Sequence, residues 1–382
     1  MYDFDTVIDR RNTNSLKWDI KENELPMWVA DMDFKAAPEI MEAMRKRLDH
    51  GVFGYSIIPE EWEKAYVNWW KTRHGFEFKG SDLTFCTGVI PAISSCVRKL
   101  TTANENVLIQ TPVYNIFFNC IINNGRRVLE SPLVYENGEY RIDFEDLEKK
   151  LADPQTTLML LCNPHNPIGK IWNVETLSRI GELCFKHHVT VISDEIHCDI
   201  TEPGVNYVPF ASVSEHCRDI SVTAISPTKA FNLAGLQSAA VMASNPNLHH
   251  KVWRALNTDE VAEPNSFAVP ATVAAFEQGG PWLDELRAYI HKNRQLATAF
   301  LSDNLPQIHV VPSQATYLLW VDCSAFTSDS DKFTEMIRKK TGLFVSSGAS
   351  YGESGRCFLR LNIAAPKATV LEGLNRLASA LK

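Results

Sequence analysis

Three polar clusters interrupt apolar runs in the middle of this chain: Asn163-Pro-His-Asn-Pro-Ile-Gly169, Asp194-Glu-Ile-His197 and Ser226-Pro-Thr-Lys229. Together they bring amides, carboxylates, imidazoles, hydroxyls and a primary amine. A lysine amine can attack a carbonyl carbon and hold it as an imine. A carboxylate can keep a basic ring nitrogen protonated, an amide or imidazole can donate to an oxygen, and hydroxyls can contact an anion. Read singly, each cluster has an ordinary explanation. Asn-Pro is common turn chemistry, an acid at a strand end often caps a helix, and a lysine there is usually solvated. Taken together, each comes directly after an apolar β-type run, so the order along the chain brings all these functions to successive strand ends.

Those runs define the scaffold. From about residue 85 to 245, short β-rich segments alternate with longer amphipathic ones: NVLIQ (106–110), a helical stretch from Tyr114, TLMLLC (157–162), a helix through Leu177 to Phe185, VTVIS (189–193) and ISVTAIS (220–226). The alternation predicts parallel βαβ units in an α/β fold. The nearly continuous apolar character of the runs suits strands covered on both faces. In an open sheet of this kind, ligands collect at the carboxyl ends of the strands. Cys86-Thr-Gly-Val-Ile-Pro91 opens another helix, whose first N–H groups can cradle a phosphate, and Gly88, Val89 and Ile90 are the candidates. After about residue 280 the texture changes to a long helix from Trp282 to Leu305, IHVV, TYLLWVD, a charged helix around Asp331 to Lys340, FLRLN and a final helix, which predicts a smaller α+β domain. The expected division is 1–35, an N-terminal segment packing with the small domain, 36–280, a large domain with a mostly parallel central sheet, and 281–382, the small domain.

The sequence has 382 residues, 45% hydrophobic and 22% charged, ample for a buried core in two domains. A net charge of -8 gives no basic face and argues against nucleic acid. No apolar run reaches the ~18 residues of a membrane helix, and the charged N-terminus lacks the pattern of a secretory signal. Nine scattered cysteines without a CxxC pair fit idle thiols in a reducing cytoplasm. Asp31 and Asp33 lack the further ligands that a metal would need, so no metal is expected.

NPHNPIG, SDEIH and SPTK, in this order, resemble the fold-type I pyridoxal 5′-phosphate (PLP) enzymes of the class I/II aminotransferase family over essentially the whole chain. The resemblance implies PLP as cofactor, with Lys229 as the Schiff-base lysine, Asp194 as partner of the pyridinium nitrogen, and Asn166 as donor to the phenolic oxygen. His197 stands where many relatives have a tyrosine with that last task. By the same likeness Tyr114 stacks on the pyridine ring, Ser226 and Thr228 contact the phosphate with Gly88 to Ile90, and Arg360 of FLRLN grips the α-carboxylate of an amino-acid substrate. Tyr55 of FGYS resembles the tyrosine that reaches the phosphate of a neighbouring subunit, which implies a homodimer with shared active sites.

Two departures point within the family. Many aminotransferases carry an arginine eight residues after the lysine, where this sequence has Gln237, and many have a shorter glycine-rich loop where it has Met27-Trp-Val-Ala-Asp-Met-Asp-Phe34. Both features resemble the MalY/PatB-type cystathionine β-lyase (C–S lyase) branch. The implied reaction is cleavage of L-cystathionine or a related L-cysteine S-conjugate to a thiol, pyruvate and ammonia. Met27 to Phe34 is then expected to close over the substrate, with Asp31 as a substrate-binding residue. An aminotransferase, and a PLP-holding regulatory protein, are the alternatives.

Overall fold

Why the central strands sit where they do is explained by their composition: runs such as Thr156–Cys162 and Ser221–Ile225 carry no charged residue and are buried almost throughout. The structure, a computed structural model, describes residues 2–382. Seven strands form the large sheet in the order Leu83–Cys86, Ala239–Met242, Ser221–Ile225, Thr190–Asp194, Thr156–Cys162, Asn106–Ile109, Arg127–Glu130. Six of them run in one direction, whereas Ala239–Met242 is antiparallel to both neighbours. The register sets Cys162 beside Asp194 and Asp194 beside Ala224, so the carboxyl ends of three consecutive strands lie level.

Helices cover both faces for reasons visible in the sequence. In Val174–Lys186 the Asn173 side chain accepts from Thr176 N at 2.8 Å, capping the first turn. Leu177, Ile180, Gly181 and Cys184, at helical spacing, form its buried face. Removing such a cap costs about 1 kcal/mol. Each large apolar side chain on the buried face contributes roughly 1.5–3 kcal/mol.

The smaller α+β layer is an antiparallel sheet of His309–Val310, Leu318–Asp322, Phe358–Asn362 and Ser346–Ser347, backed by helices Ser330–Thr341 and Lys367–Leu381. The long helix predicted from Trp282 spans Gly280–Asn304. Leu25–Pro26 pairs in parallel with Leu343–Phe344, and Phe4 packs on Trp282 and Tyr289, so the start of the chain lies against its last third. No helix among the described residues is long and apolar enough to cross a membrane. All nine cysteines are free thiols.

Candidate active site

Residues contributed by five turns beyond strands of the large sheet line one cavity of about 210 Å³ at its carboxyl edge. Gly88, Val89 and Ile90 stand at the start of helix Val89–Leu100, which has no side-chain cap, so its first N–H groups are open to an anion. Tyr114, Asn166, Asp194, His197, Thr228 and Lys229 complete the candidates on the wall. The NPHNPIG turn is held by its glycine. Gly169 has φ 66°, a Cβ there would lie 2.8 Å from the Ala315 carbonyl oxygen, and its own carbonyl accepts from Gln314 N and Ala315 N.

Burial tunes the titratable groups. Lys229 is brought down to about 8, chiefly by burial and then by the Arg360 charge, against Asp31 and Asp194, which favour its ammonium form. Burial lifts Asp194 to about 6, opposed by the Ile196 N–H that its Oδ1 accepts at 3.2 Å and by Lys229. His197 falls to about 3 through burial, then Lys229 and Arg360, so its imidazole is neutral. Tyr114 is raised to about 12 by burial. Arg360 is 5% exposed; its Nη2 donates to Trp28 O at 2.8 Å and its Nη1 to Asn166 Oδ1 at 3.3 Å, and the guanidinium lies 4.9 Å from the Tyr351 ring centre.

Other candidates lie elsewhere. Ser226 is behind the wall: its hydroxyl donates to Ser238 O at 2.7 Å and accepts from Thr228 N, so it braces the turn that presents Lys229. Tyr55 is fully exposed in the segment between helices Pro38–His50 and Glu60–His74, away from the cavity of its own chain. Gln237 lines the cavity in a left-handed conformation, φ 52°, rather than facing solvent as a surface variant would.

The segment Met27 to Phe34, expected to close over the substrate, is strapped down, because its main-chain carbonyls meet side-chain donors along its length. Arg360 and Ser346 donate to Trp28 O, Asn362 Nδ2 to both Val29 O and Asp31 O at 2.6 Å, and Asn232 to Met32 O and Phe34 O. Asp33 anchors it from the other side, accepting from Arg10 at 2.6 Å, Lys17 at 2.7 Å and Trp18 Nε1 at 2.7 Å. The Asp31 carboxylate pairs with Arg10 at 2.8 Å, and its charge favours the ammonium form of Lys229.

Three contributors escaped the sequence reading: Ala30 on the wall, and Tyr317 and Asn362 beside it. Lys229 Nζ donates to the main-chain oxygen of Ala30 at 2.5 Å, and Tyr317 OH donates to the same oxygen at 2.9 Å. Nothing in an alanine announces a carbonyl. Asn362 had a signal: it lies two residues beyond Arg360 on one strand and therefore on the same face.

The family model for class I and II aminotransferases matches residues 24–377. The chain is 44% identical to cystathionine β-lyase PatB of Bacillus subtilis (strain 168), across 99% of both proteins. It is 33% identical to the protein MalY of Escherichia coli (strain K12), across 100% of this chain and 99% of that one. Among solved structures, cystalysin from Treponema denticola, which contains PLP, matches with a TM-score of 0.97 at 34% identity, over 100% and 99% of the two chains. The PLP-bound C–S lyase from Staphylococcus hominis matches with a TM-score of 0.94 at 33% identity, over 100% and 98%.

The lining of the cavity fits that cofactor. It offers an amine of lowered basicity, a buried carboxylate, an uncapped helix start, and a buried His197 Nδ1 with no partner in the protein. An orphaned buried polar atom is costly unless a further group satisfies it.

Proposed function

The chain belongs to the class I and II aminotransferase family, and from that premise we propose that it is a PLP-dependent carbon–sulfur β-lyase, cleaving L-cystathionine or a related L-cysteine S-conjugate to a thiol, pyruvate and ammonia. The observation that carries this reading is the pairing of Lys229 and Asp194 on one cavity wall, with Arg360 hydrogen-bonded to Asn166 of the same wall, in a chain that is like a cystathionine β-lyase from end to end. Gln237 on the cavity wall, where many aminotransferases place an arginine, supports the lyase over the transaminase.

When bound, PLP supplies an electron sink for the pair left behind as the Cα–H bond breaks. The chain's own residues do the rest. Arg360 has a buried Nε with no partner, and its fork suits the α-carboxylate, which it would hold in one orientation over the cavity. Lys229 is the residue that would carry the cofactor and, as a free amine, would serve as the base. An amine with a pKa of about 8 is neutral in a useful fraction near pH 7 and can take the α-proton at Nζ. Asp194 is largely ionised above about 6 and supplies the anion for the ring nitrogen, while Asn166 and neutral His197 sit on the same wall to donate to the ring oxygen. The helix start at Gly88 to Ile90, with Thr228, would receive the phosphate.

Exposed Val52, Phe53, Tyr55 and Ile57 on one segment support a homodimer in which Tyr55 completes the partner's site. Nine unpaired thiols support a reducing, cytoplasmic setting.

The test is incubation of purified protein with PLP and L-cystathionine, without added keto acid, following pyruvate and free thiol. Equal amounts of the two are expected. A cofactor band that shifts to the pyridoxamine form without pyruvate would overturn the lyase reading in favour of an aminotransferase.

A further inference from the structure

We propose that Tyr317 is a positioning residue for the Lys229 amine, sharing with it the main-chain carbonyl of Ala30 and so limiting how firmly that carbonyl holds the amine as an ammonium. The inference deepens the reading above, since it concerns the same lysine acting as a base.

Tyr317 is fully buried at the entrance to strand Leu318–Asp322, and burial keeps its phenol protonated. Its hydroxyl therefore donates, and Ala30 O accepts from it at 2.9 Å while accepting from Lys229 Nζ at 2.5 Å. A carbonyl oxygen has two lone pairs, and both are used here. The carbonyl cannot swing away from either donor. The peptide oxygens on both sides of it, Val29 O and Asp31 O, are pinned at 2.6 Å by the single amide of Asn362, whose own oxygen is taken by Ala364 N at 2.8 Å. Asn362 thus fixes the acceptor, and Tyr317 occupies half of it.

The surroundings make one hydrogen bond count. Facing Lys229 are Arg360 from strand Phe358–Asn362, Asp31 from the strap, Asp194 from the end of strand Thr190–Asp194, and neutral His197 from the turn beyond. The two carboxylates favour the ammonium, while burial and Arg360 oppose it. With these influences opposed, an acceptor of full strength would tip Lys229 toward the charged form, in which it can neither attack a carbonyl nor take a proton. Sharing the oxygen with Tyr317 weakens that pull.

The sign of the effect is fixed by the pinning. In Tyr317→Phe the ring still fills its site, Asn362 still holds the strap, and Ala30 O is left to Lys229 alone. The midpoint at which Lys229 loses its proton should rise by about half a pH unit or more, leaving roughly threefold less neutral amine at pH 7. The measurement is trace acetylation of the cofactor-free full-length protein across a pH series, with the Lys229 peptide quantified by mass spectrometry, for wild type and variant. The rate at which the same proteins capture added PLP gives a second readout, whose acid limb should move upward with the labelling midpoint. Unchanged midpoints, or a lowered melting temperature without a shift in either readout, would overturn the proposal, because a merely structural tyrosine would act in that way. If wild type yields no pyruvate from any thioether, the lyase reading fails while the labelling comparison stands.

Discussion

Replacing Arg360 tests the substrate half of the site most directly. Its guanidinium is buried, gives one N–H to Trp28 O and another to Asn166 Oδ1, and retains an Nε without a partner. A carboxylate docked on the remaining donors would be a desolvated, charge-assisted pair. Truncating one member of such a pair costs about 3–5 kcal/mol. At 1.36 kcal/mol per tenfold, Arg360→Ala should lower kcat/KM for L-cystathionine by roughly two to four orders of magnitude. Arg360→Lys keeps the charge but cannot serve Trp28 O and both carboxylate oxygens at once, so a loss of roughly tenfold to a hundredfold is expected. The assay is initial-rate pyruvate or thiol release, run in parallel on an S-substituted cysteamine that lacks the carboxylate. That amine should be cleaved poorly by wild type and suffer little further loss in either variant. An equal loss on both compounds would refute the reasoning, since it would mean that Arg360 acts by holding the strap rather than by holding substrate.

Asp33→Asn should destabilise the protein by about 3 kcal/mol in urea unfolding, because Lys17, at 1% exposure, would keep only the more distant Asp31, at 3.5 Å. Activity per folded molecule should fall with it, as the strap that carries Ala30 loses its outer anchor. Glu195, raised to about 7 by burial against donors from Phe210 N, Ser193 and Tyr207, contributes its stability in the protonated form, so that contribution is present below its ordinary 4.5 and lost as pH rises through about 7. Glu195→Gln should therefore gain melting temperature relative to wild type between pH 5 and 8; a difference independent of pH would contradict it. Mixing inactive Tyr55→Ala and Lys229→Ala subunits should restore about a quarter of wild-type activity, since half the dimers are mixed and each has one complete site. No recovery after subunit exchange would count against shared sites.

The strands and the chemistry at their ends were legible because both obey local rules. Buried parallel strands must be apolar along their length, as Thr156–Cys162 is, and the residues just beyond them must turn at the ligand edge, as Asn166, Asp194 and Lys229 do. The antiparallel course of Ala239–Met242 was not legible, because an apolar run of four residues reads the same in either direction. Asp31 and Asp33 looked like neighbours on a free loop. Their true partners, Arg10, Lys17 and Trp18, lie 14 to 23 residues earlier, a pairing that no periodicity encodes. Ala30 contributes through its backbone, to which residue type is blind, and Tyr317 looked like one more strand aromatic.

The strap has a consequence for the order in which the protein is made. Residues 27–34 leave the ribosome about 300 residues ahead of the side chains that receive them, Ser346, Arg360 and Asn362. Lys229 is translated between the two. A partly synthesised chain therefore carries a lysine without its carbonyl seat and a cavity without its carboxylate grip, and competence arrives only when Arg360 and Asn362 meet residues 28–31 over the middle.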